Sequence, residues 1–440
     1  MRHALQRLAS PLQASRYRRF GWALVLFSVL AIPLLWSYGG AAATRWMFVF
    51  DPSDVTTWAE LVDYVANLRV PIPLVISLAE IAEFRLTGQL LITTRVAYPV
   101  AVYLSFALAL WLASASAARL VAAWLLAVIF VWGMRIVHYA NPQTYDVIFP
   151  ALVLAYVVCL DLARRPTNAA RSSGLLALTA GLSLSLAELT RPFFIFLMPF
   201  LLVAACLVLR PLGWRRVALF LMPVVLLSGS WHVFIAQAHG QLVWTNHSGF
   251  NLHRNWYLVE LPILVEEVNG APLAPGRWPH LNTPEHSENS RRIQAAIVTW
   301  ILEHPAEAVD HALNRLGNFL SVPTGYYGWQ PDHPGLRYYR WAVWAALAWI
   351  AVQPLVAISA LLRRRWLAFI AAESQLIGIV LLTLLILALG ESAEEARFIV
   401  SLLPMLAALP LFGLSSGSVV TGAPRISPPA ATPPGPQSTA

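Results

Sequence analysis

Long apolar runs repeat along most of this chain, and they constrain its fold more than any other feature. Each run has about the 17–25 residues that a tilted helix needs to cross a bilayer. Charged residues make up only 12% of the chain, against about 25% in a typical soluble domain. We therefore predict about ten spans, at 20–37, 96–112, 120–137, 147–163, 174–189, 193–209, 217–236, 341–361, 366–389 and 398–414.

Arginine clusters orient these spans. They occur in the segment before residue 20 and in short loops at 164–171, 210–216 and 363–365. With the spans above, all the clusters share one side, and basic residues favour the cytoplasmic side. The predicted fold is therefore an all-α polytopic membrane protein with both termini in the cytoplasm.

The same prediction divides the chain into parts. Residues 1–19 form a basic cytoplasmic segment, residues 20–414 form the membrane domain, and residues 415–440 form a disordered Pro-rich tail. Two long outer loops lie within the membrane domain, at 38–95 and 237–340. Loops of this length are usually functional or disordered.

Both outer loops contain helical patterns. The stretch 70–84 is amphipathic and predicts a helix on the membrane surface, with an eleventh span as the alternative. Glu80 and Glu83 weigh against that span, because each charge at bilayer depth is costly. In the second loop, 291–320 predicts two helices broken near Pro305.

Composition also excludes several classes of protein. The formal net charge is +8, but in a membrane protein this reflects basic cytoplasmic loops rather than nucleic-acid binding. Cys159 and Cys206 lie inside apolar runs and are expected to pack as small hydrophobic residues. No phosphate-binding glycine loop occurs, which argues against a nucleotide-driven pump.

Acidic residues gather on the outer side. Of the 22 acidic residues, only Asp161 and Glu373 fall at or near cytoplasmic span ends in this topology. Asp51 and Asp54 follow the first span closely, and two neighbouring carboxylates can supply a general base. The alternative is a helix cap, in which Ser53 or Asp54 accepts a hydrogen bond from the helix start.

A second candidate is the polar segment 245–256, just beyond the seventh span. Its Asn246, Asn251, Arg254 and Asn255 offer the hydrogen-bond donors that sugar and phosphate recognition needs. An ordinary polar loop would have a similar composition, and both interpretations stay open.

Two arginines lie near the outer ends of spans. Arg397 precedes the last span, where it could meet a lipid phosphate or anchor the helix at the interface. Arg191 lies in the tight turn Thr190-Arg191-Pro192, and Glu188 is close enough in sequence to pair with it.

Histidines in the second outer loop raise a metal hypothesis. His247, His253, His280 and His286 do not show the spacing of a compact ligand set. No cofactor is expected, and a divalent metal is left open.

Taken together, these segments resemble a GT-C glycosyltransferase that uses polyprenyl-phosphate sugars, a group related to protein O-mannosyltransferases and aminoarabinose transferases. The resemblance runs from about 20 to 414. It rests on the ordered series Asp51/Asp54, the run ending in Thr-Arg-Pro, the stretch from Asn246 to Leu252, the WILEHP helix, and EEARF before the last span.

The resemblance implies an inverting sugar transfer at the outer face of a bacterial plasma membrane. Asp54 or Asp51 would take a proton from the acceptor hydroxyl. The phosphate-binding candidates are Arg191, Arg254 and Arg397, and the sugar or acceptor contacts are Asn246, Asn251 and Asn255. The implied partners are a polyprenyl-phosphate-sugar donor, a glycan, lipid or protein acceptor, and membrane lipid, without nucleic acid.

Two other functions remain open from sequence. A transporter or flippase would place ionisable residues within spans, where Glu373 is the main carboxylate candidate. A non-enzymatic subunit of an envelope complex would use the outer loops for docking.

Overall fold

A computed structural model describes seven longer segments of the chain and several short ones. The longer segments are 2–38, 96–138, 144–165, 170–239, 284–321, 372–390 and 395–409. The short ones are 79, 82–83, 86–88, 249, 252–253, 256, 267–268, 271–272, 344 and 348.

Helices account for nearly all of the described chain. In chain order they are α1 (Arg2–Tyr38), α2 (Tyr98–Ala113), α3 (Ala117–His138), α4 (Thr144–Ala163), α5 (Ala170–Glu188), a 3-10 helix (Pro192–Phe196), α6 (Met198–Leu209), a short 3-10 turn (Arg210–Leu212), α7 (Trp214–Pro223), a π-helical segment (Val224–Gly229), α8 (Ser230–His239), α9 (Pro284–Glu303), α10 (Pro305–Ser321), α11 (Ala372–Gly390) and α12 (Glu395–Ala408). A minimal antiparallel ladder joins β1 (Glu267–Val268) to β2 (Ala271–Pro272).

The described residues of the predicted spans are nearly all helical, and 341–361 falls almost wholly outside the described residues. Two stretches, Ser15–Leu35 and Trp214–Gln237, are long and apolar enough to cross a membrane. Shorter apolar helices accompany them. The break predicted near Pro305 is confirmed, since α9 ends at Glu303 and α10 begins at Pro305.

Helix α4 lies at the centre of the packed helices. It contacts α2, α5, α11 and α12, and α5 in turn packs along α7. The contact between α5 and α7 is close because α5 buries small residues four positions apart, namely Ser173, Ala177, Gly181 and Ser185. A Cβ at position 181 would overlap the carbonyl of Phe220 on α7. Small residues at this spacing are typical of helix contacts in membranes.

Large apolar side chains also cover much of the outside of the helices. Trp22 is 65% exposed, Val29 66%, Phe200 70% and Val225 64%. In soluble proteins, side chains of these types are more often buried. The helices thus present apolar side chains both to one another and to the surroundings.

A second, smaller core lies between α9 and α10. It consists of Trp256, Ile293, Ile297 and Ala308. Helix α10 also contacts α11, which links this smaller unit to the main set of helices. Within the predicted surface helix 70–84, the described positions are helical at Ala79, Ala82 and Glu83, and Glu83 is buried.

Candidate functional site

Most residues proposed for the site lie outside the described part of the chain. This holds for both candidate bases, Asp51 and Asp54, and for Arg254 and the asparagines, namely Asn246, Asn251 and Asn255. Arg397 belongs to the first turn of α12, and its side chain is likewise outside the described atoms. Arg191 is the site residue whose side chain can be placed.

Arg191 lies in a tight, buried turn. Helix α5 ends at Glu188, and the Arg191 amide donates to the carbonyls of Ala187 and Glu188, both at 3.2 Å. The Thr190 hydroxyl donates to the Leu186 carbonyl at 2.6 Å, which closes the last turn. The Arg191 backbone is extended, and its side chain is only 6% exposed.

Pro192 then redirects the chain. It begins the 3-10 helix, where a proline is tolerated because its missing N–H would have no helical partner. Phe193 and Phe194 follow and pack edge-on against Phe149 of α4, with ring centroids 5.7 and 5.2 Å apart. These rings fix the turn, and hence Arg191, against the start of α4.

A buried carboxylate–imidazole pair lies at the same end of α5. Glu188 Oε1 is 2.8 Å from His232 Nε2 on α8. The Glu188 side chain is 2% exposed and that of His232 is 19% exposed. The second oxygen, Glu188 Oε2, has no hydrogen-bond partner among the described residues. Glu188 therefore pairs with His232 rather than with the neighbouring Arg191.

Backbone irregularity positions His232. Pro223 ends α7 because it cannot donate the hydrogen bond that a continuing α-helix needs. The next turn is π-helical over Val224–Gly229, and α8 then carries Trp231 and His232. Single π-helical turns within helices occur often at functional sites. The chain thus brings a histidine of one apolar helix onto a glutamate of another.

The opposite end of α5 meets the arginine clusters. The Ser173 hydroxyl donates to the Ala163 carbonyl at the end of α4. Fifteen residues separate Ser173 from Glu188, so the two lie about 22 Å apart along the helix axis. The Glu188–His232 pair and the arginine clusters therefore occupy opposite ends of the described helices.

At the arginine-rich end, the Asp161 carboxylate pairs with several arginines. Asp161 is 4% exposed; it lies 3.1 Å from Arg164 and 3.9 Å from Arg16, and it also pairs with Arg165. Arg16 continues to the carbonyl of Trp111 at 3.0 Å and stacks over its ring. These contacts join the middle of α1 to the C-terminal ends of α2 and α4, so their role is to hold the helices together.

Two described residues of the polar segment 245–256, Gly249 and Trp256, contact α9 and α10. The Gly249 amide donates to the Ser290 hydroxyl of α9 at 2.9 Å. A Cβ at position 249 would overlap the Ser290 carbonyl, so only glycine permits this approach. Trp256 is buried against Trp300 and His311, with ring centroids 6.1 and 4.9 Å apart.

An exposed ion-pair cluster lies in the first turns of α9. Glu288 accepts hydrogen bonds from Arg291 at 2.9 Å and from Arg292 at 3.0 Å. These bonds, from Arg291 first and then Arg292, lower the pKa of Glu288 to about 2. The same pairing raises the pKa of Arg291.

Sequence reasoning did not single out His232, which the structure places against Glu188. The available signal was a histidine near the outer end of the predicted span 217–236, where an ionisable side chain is rare. Within the described ranges, no group of three His, Cys, Asp or Glu side chains is placed to hold a metal ion. His247, His280 and His286 are not among the side chains described.

Comparisons with protein-family models, with curated proteins and with solved structures give no match to this chain.

Proposed function

We propose that this protein is a membrane glycosyltransferase that moves a sugar from a polyprenyl-phosphate-linked donor to an acceptor hydroxyl. The transfer would take place at the extracytoplasmic face of a bacterial plasma membrane and would invert the anomeric centre. The main support is the GT-C-like series of motifs together with the way the described segments of that series are arranged.

Membrane insertion through about ten spans is supported by the apolar outer surface of the helices. Side chains such as Trp22 and Phe200 are costly in water and favourable in lipid. The gathering of Arg16, Arg164 and Arg165 at one end agrees with a cytoplasmic location for that end. Glu188, Arg191 and His232 would then lie toward the outer face.

One contact between two of the motifs gives the proposal its strongest structural support. Gly249, from the stretch that resembles the Asn-x-Ser-Gly-x-Asn-Leu motif, is seated on Ser290 of α9. Helix α9 also contains most of the WILEHP motif, and Trp256 packs between the two outer helices. Two motifs separated in sequence thus form one unit, as parts of a single site would.

In the proposed mechanism, each charged residue has a separate task. Asp54 or Asp51 takes the proton from the acceptor hydroxyl, whose oxygen attacks the anomeric carbon. The bond from that carbon to the phosphate oxygen breaks, and its electron pair leaves with the polyprenyl phosphate. Arg191, assisted by Arg254 and Arg397, stabilises the phosphate, because preorganised guanidinium groups favour the developing charge.

The deciding experiment measures transfer by the purified protein in liposomes, using radiolabelled polyprenyl-phosphate sugars and detecting the glycoside formed. Asp54→Asn and Asp51→Asn are compared with Asp310→Asn, an exposed control on α10. We expect at least one of the first pair to lose transfer by about 100-fold or more while remaining folded. Full activity in both would eliminate the proposed base.

A transporter is the second candidate, and the Glu188–His232 pair is the observation that favours it. Ionisable pairs inside apolar helices are used for proton coupling in transporters. Such a protein would accumulate a solute or move a lipid-linked glycan across vesicles without forming a glycosidic bond. Uptake in vesicles that is abolished by Glu188→Gln, with no glycoside made, would establish this alternative.

A further inference from the structure

We propose that the turn between α6 and α7, residues 210–216, binds the headgroup phosphate of an anionic phospholipid. Arg210 and Arg215 hold the phosphate, and Trp214 lies at the level where headgroup and acyl chains meet. The proposal is independent of the glycosyltransferase activity. It comes from the position, the exposure and the unbalanced charge of this turn.

The turn lies at the end of a stretch that can cross a membrane. Trp214–Gln237 is long and apolar enough to do so, and Trp214 is its first residue. A Cβ at Gly174, near the start of α5, would lie 3.2 Å from Leu219 Cδ1 on α7. The beginning of α7 therefore lies beside the beginning of α5, at the arginine-rich end. Around such a helix end, the neighbouring anions are lipid headgroups.

Backbone geometry makes this turn short. A 3-10 turn over Arg210–Leu212 follows α6 directly. Gly213 then has a φ of 109°, a conformation that favours glycine, and α7 begins at the next residue. The Arg216 guanidinium donates to the Leu212 carbonyl, which ties that side chain to the turn itself. The turn thus brings three arginines together within seven residues.

The other two arginines are exposed around an exposed aromatic ring. Arg210 and Arg215 are both exposed, and Trp214 between them in sequence is 69% exposed. The Arg210 guanidinium lies over the Trp214 ring, 5.6 Å from its centroid. A guanidinium stacked in this way keeps N–H donors at its edge, where they can bind two oxygens of one phosphate. Trp is also enriched at the boundary between headgroups and acyl chains.

The charge of the turn is not balanced by carboxylates of the described chain. The sequence has no Asp or Glu between Glu188 and Glu260. Within the described segments, no ion pair reaches Arg210, Arg215 or Arg216. Several positive charges close together repel one another, so the turn favours an anion from outside the protein.

The other arginine cluster at this end of the helices provides a contrast. Arg16, Arg164 and Arg165 share the buried Asp161, and their contacts join helices. That cluster has an internal carboxylate and a structural role. The α6–α7 turn has the same residue type at the same end but an exposed setting, as basic sites for lipid headgroups do.

Apolar side chains continue from the turn along both helices. On α6, Leu207 and Val203 are exposed about one and two turns before it. On the other side, Met222 of α7 and Val225 of the π-helical segment are exposed in the same way. Acyl chains attached to a phosphate at the turn would cover these side chains. A lipid uses this surface, whereas a free phosphate ion does not.

The test measures binding of phosphatidylglycerol, an anionic phospholipid, to the full-length protein in detergent. Thermal unfolding is followed as the lipid is added, and zwitterionic phosphatidylcholine is the comparison. The double variant Arg210→Gln/Arg215→Gln should bind phosphatidylglycerol about 30-fold more weakly, because each arginine near a lipid surface contributes about fivefold. Its response to phosphatidylcholine should not change. Wild-type affinity for phosphatidylglycerol in the folded double variant would overturn the proposal.

The matched control is Arg291→Gln/Arg292→Gln, which removes two exposed arginines from α9. This control should bind phosphatidylglycerol as the wild-type protein does. An equal loss in the two double variants would show a response to net charge alone and would remove the site. If the variant of the turn does not fold, Arg215→Gln alone should weaken binding by about fivefold. Unchanged affinity in that folded single variant would overturn the proposal equally.

Two further measurements identify the ligand as a lipid. Glycerol 3-phosphate carries a phosphate without acyl chains and should not stabilise the protein at the concentrations used for phosphatidylglycerol. Equal stabilisation by both would assign the turn to a free anion and refute the lipid. Trp214→Ala should weaken phosphatidylglycerol binding more than Trp214→Phe, which keeps an aromatic ring, and wild-type affinity in Trp214→Ala would contradict the role of the ring. These measurements need no glycoside, so the lipid site and the enzyme proposal can fail separately.

Discussion

The arginine-rich end and the opposite end of the described helices both bury a carboxylate, but the two carboxylates have different partners. Asp161 is contacted by Arg16, Arg164 and Arg165. Glu188 is contacted by one imidazole, that of His232. Its second carboxylate oxygen has no hydrogen-bond partner among the described residues. A carboxylate with several cations links several helices at once, whereas one with a single imidazole partner links only α5 to α8.

The largest expected change in stability comes from a substitution at the arginine-rich end of the helices. Asp161→Ala leaves several partly buried guanidinium groups without their carboxylate, which should lower the free energy of unfolding by about 3–5 kcal/mol. Thermal unfolding in detergent, followed by tryptophan fluorescence, measures the loss. Asp310→Ala is the control, because Asp310 is exposed and its contact is with the neutral Asn314. A similar midpoint for the two variants would show that the cluster does not hold the helices together.

The next prediction concerns the middle of α5, between the two ends. Gly181→Ala places a methyl group against the Phe220 carbonyl, so α5 and α7 must separate. Overpacking of this kind should lower the free energy of unfolding by about 1–3 kcal/mol. Gly378→Ala on α11 meets no atom within 4 Å and should instead stabilise its helix by about 0.5–1 kcal/mol. Equal effects on the unfolding midpoint would contradict the close contact.

A smaller change in stability is expected for the unit formed by α9 and α10, together with a larger change in transfer activity. Gly249→Ala should prevent the polar segment from seating on α9, because its Cβ would overlap the Ser290 carbonyl. Ser290→Ala removes only the hydrogen bond and should cost about 1 kcal/mol. Limited proteolysis of 240–283 reports the seating, and transfer activity reports its consequence. Wild-type protection of this segment in Gly249→Ala would speak against the contact.

The smallest effect is the acid response of α9. The Glu288 pKa is about 2, below its ordinary value of 4.5, because Arg291 and Arg292 donate to the ionised carboxylate. Its contribution to stability is therefore fully present above pH 4.5 and is lost as the pH falls toward 2. The wild-type protein should unfold at a slightly higher temperature than Glu288→Gln at pH 6, and the difference should shrink by pH 3. A constant difference would exclude the ion pairs as its source.

Much of the fold follows from local pattern. Apolar length predicts the helices, and Pro305 predicts the break between α9 and α10, since a proline fits at a helix start but not in its interior. Tight packing of α5 on α7 is also encoded locally, in small residues four positions apart.

The candidate site is less accessible to such reasoning. His232 lies 44 residues from Glu188, and their meeting depends on how two helices pack rather than on either local sequence. The proximity of Glu188 and Arg191 in sequence favoured a local pair, but Glu188 is the last residue of α5 and its carboxylate contacts His232 instead. The roles of four residues remain sequence predictions, namely Asp51, Asp54, Arg254 and Arg397. Arg191 is the one candidate whose side chain the structure describes, and it is buried.

The π-helical turn at Val224–Gly229 has a rotational consequence. Such a turn holds an additional residue, so every side chain beyond Gly229 is rotated by about 100° relative to an uninterrupted α-helix from Trp214. A helical wheel drawn through the whole apolar stretch would thus place His232 on the wrong side. Deleting one residue of the turn would keep the composition and nearly all of the length, yet swing the imidazole away from Glu188. The winding of this helix therefore decides, as much as the residue type does, whether a histidine meets Glu188.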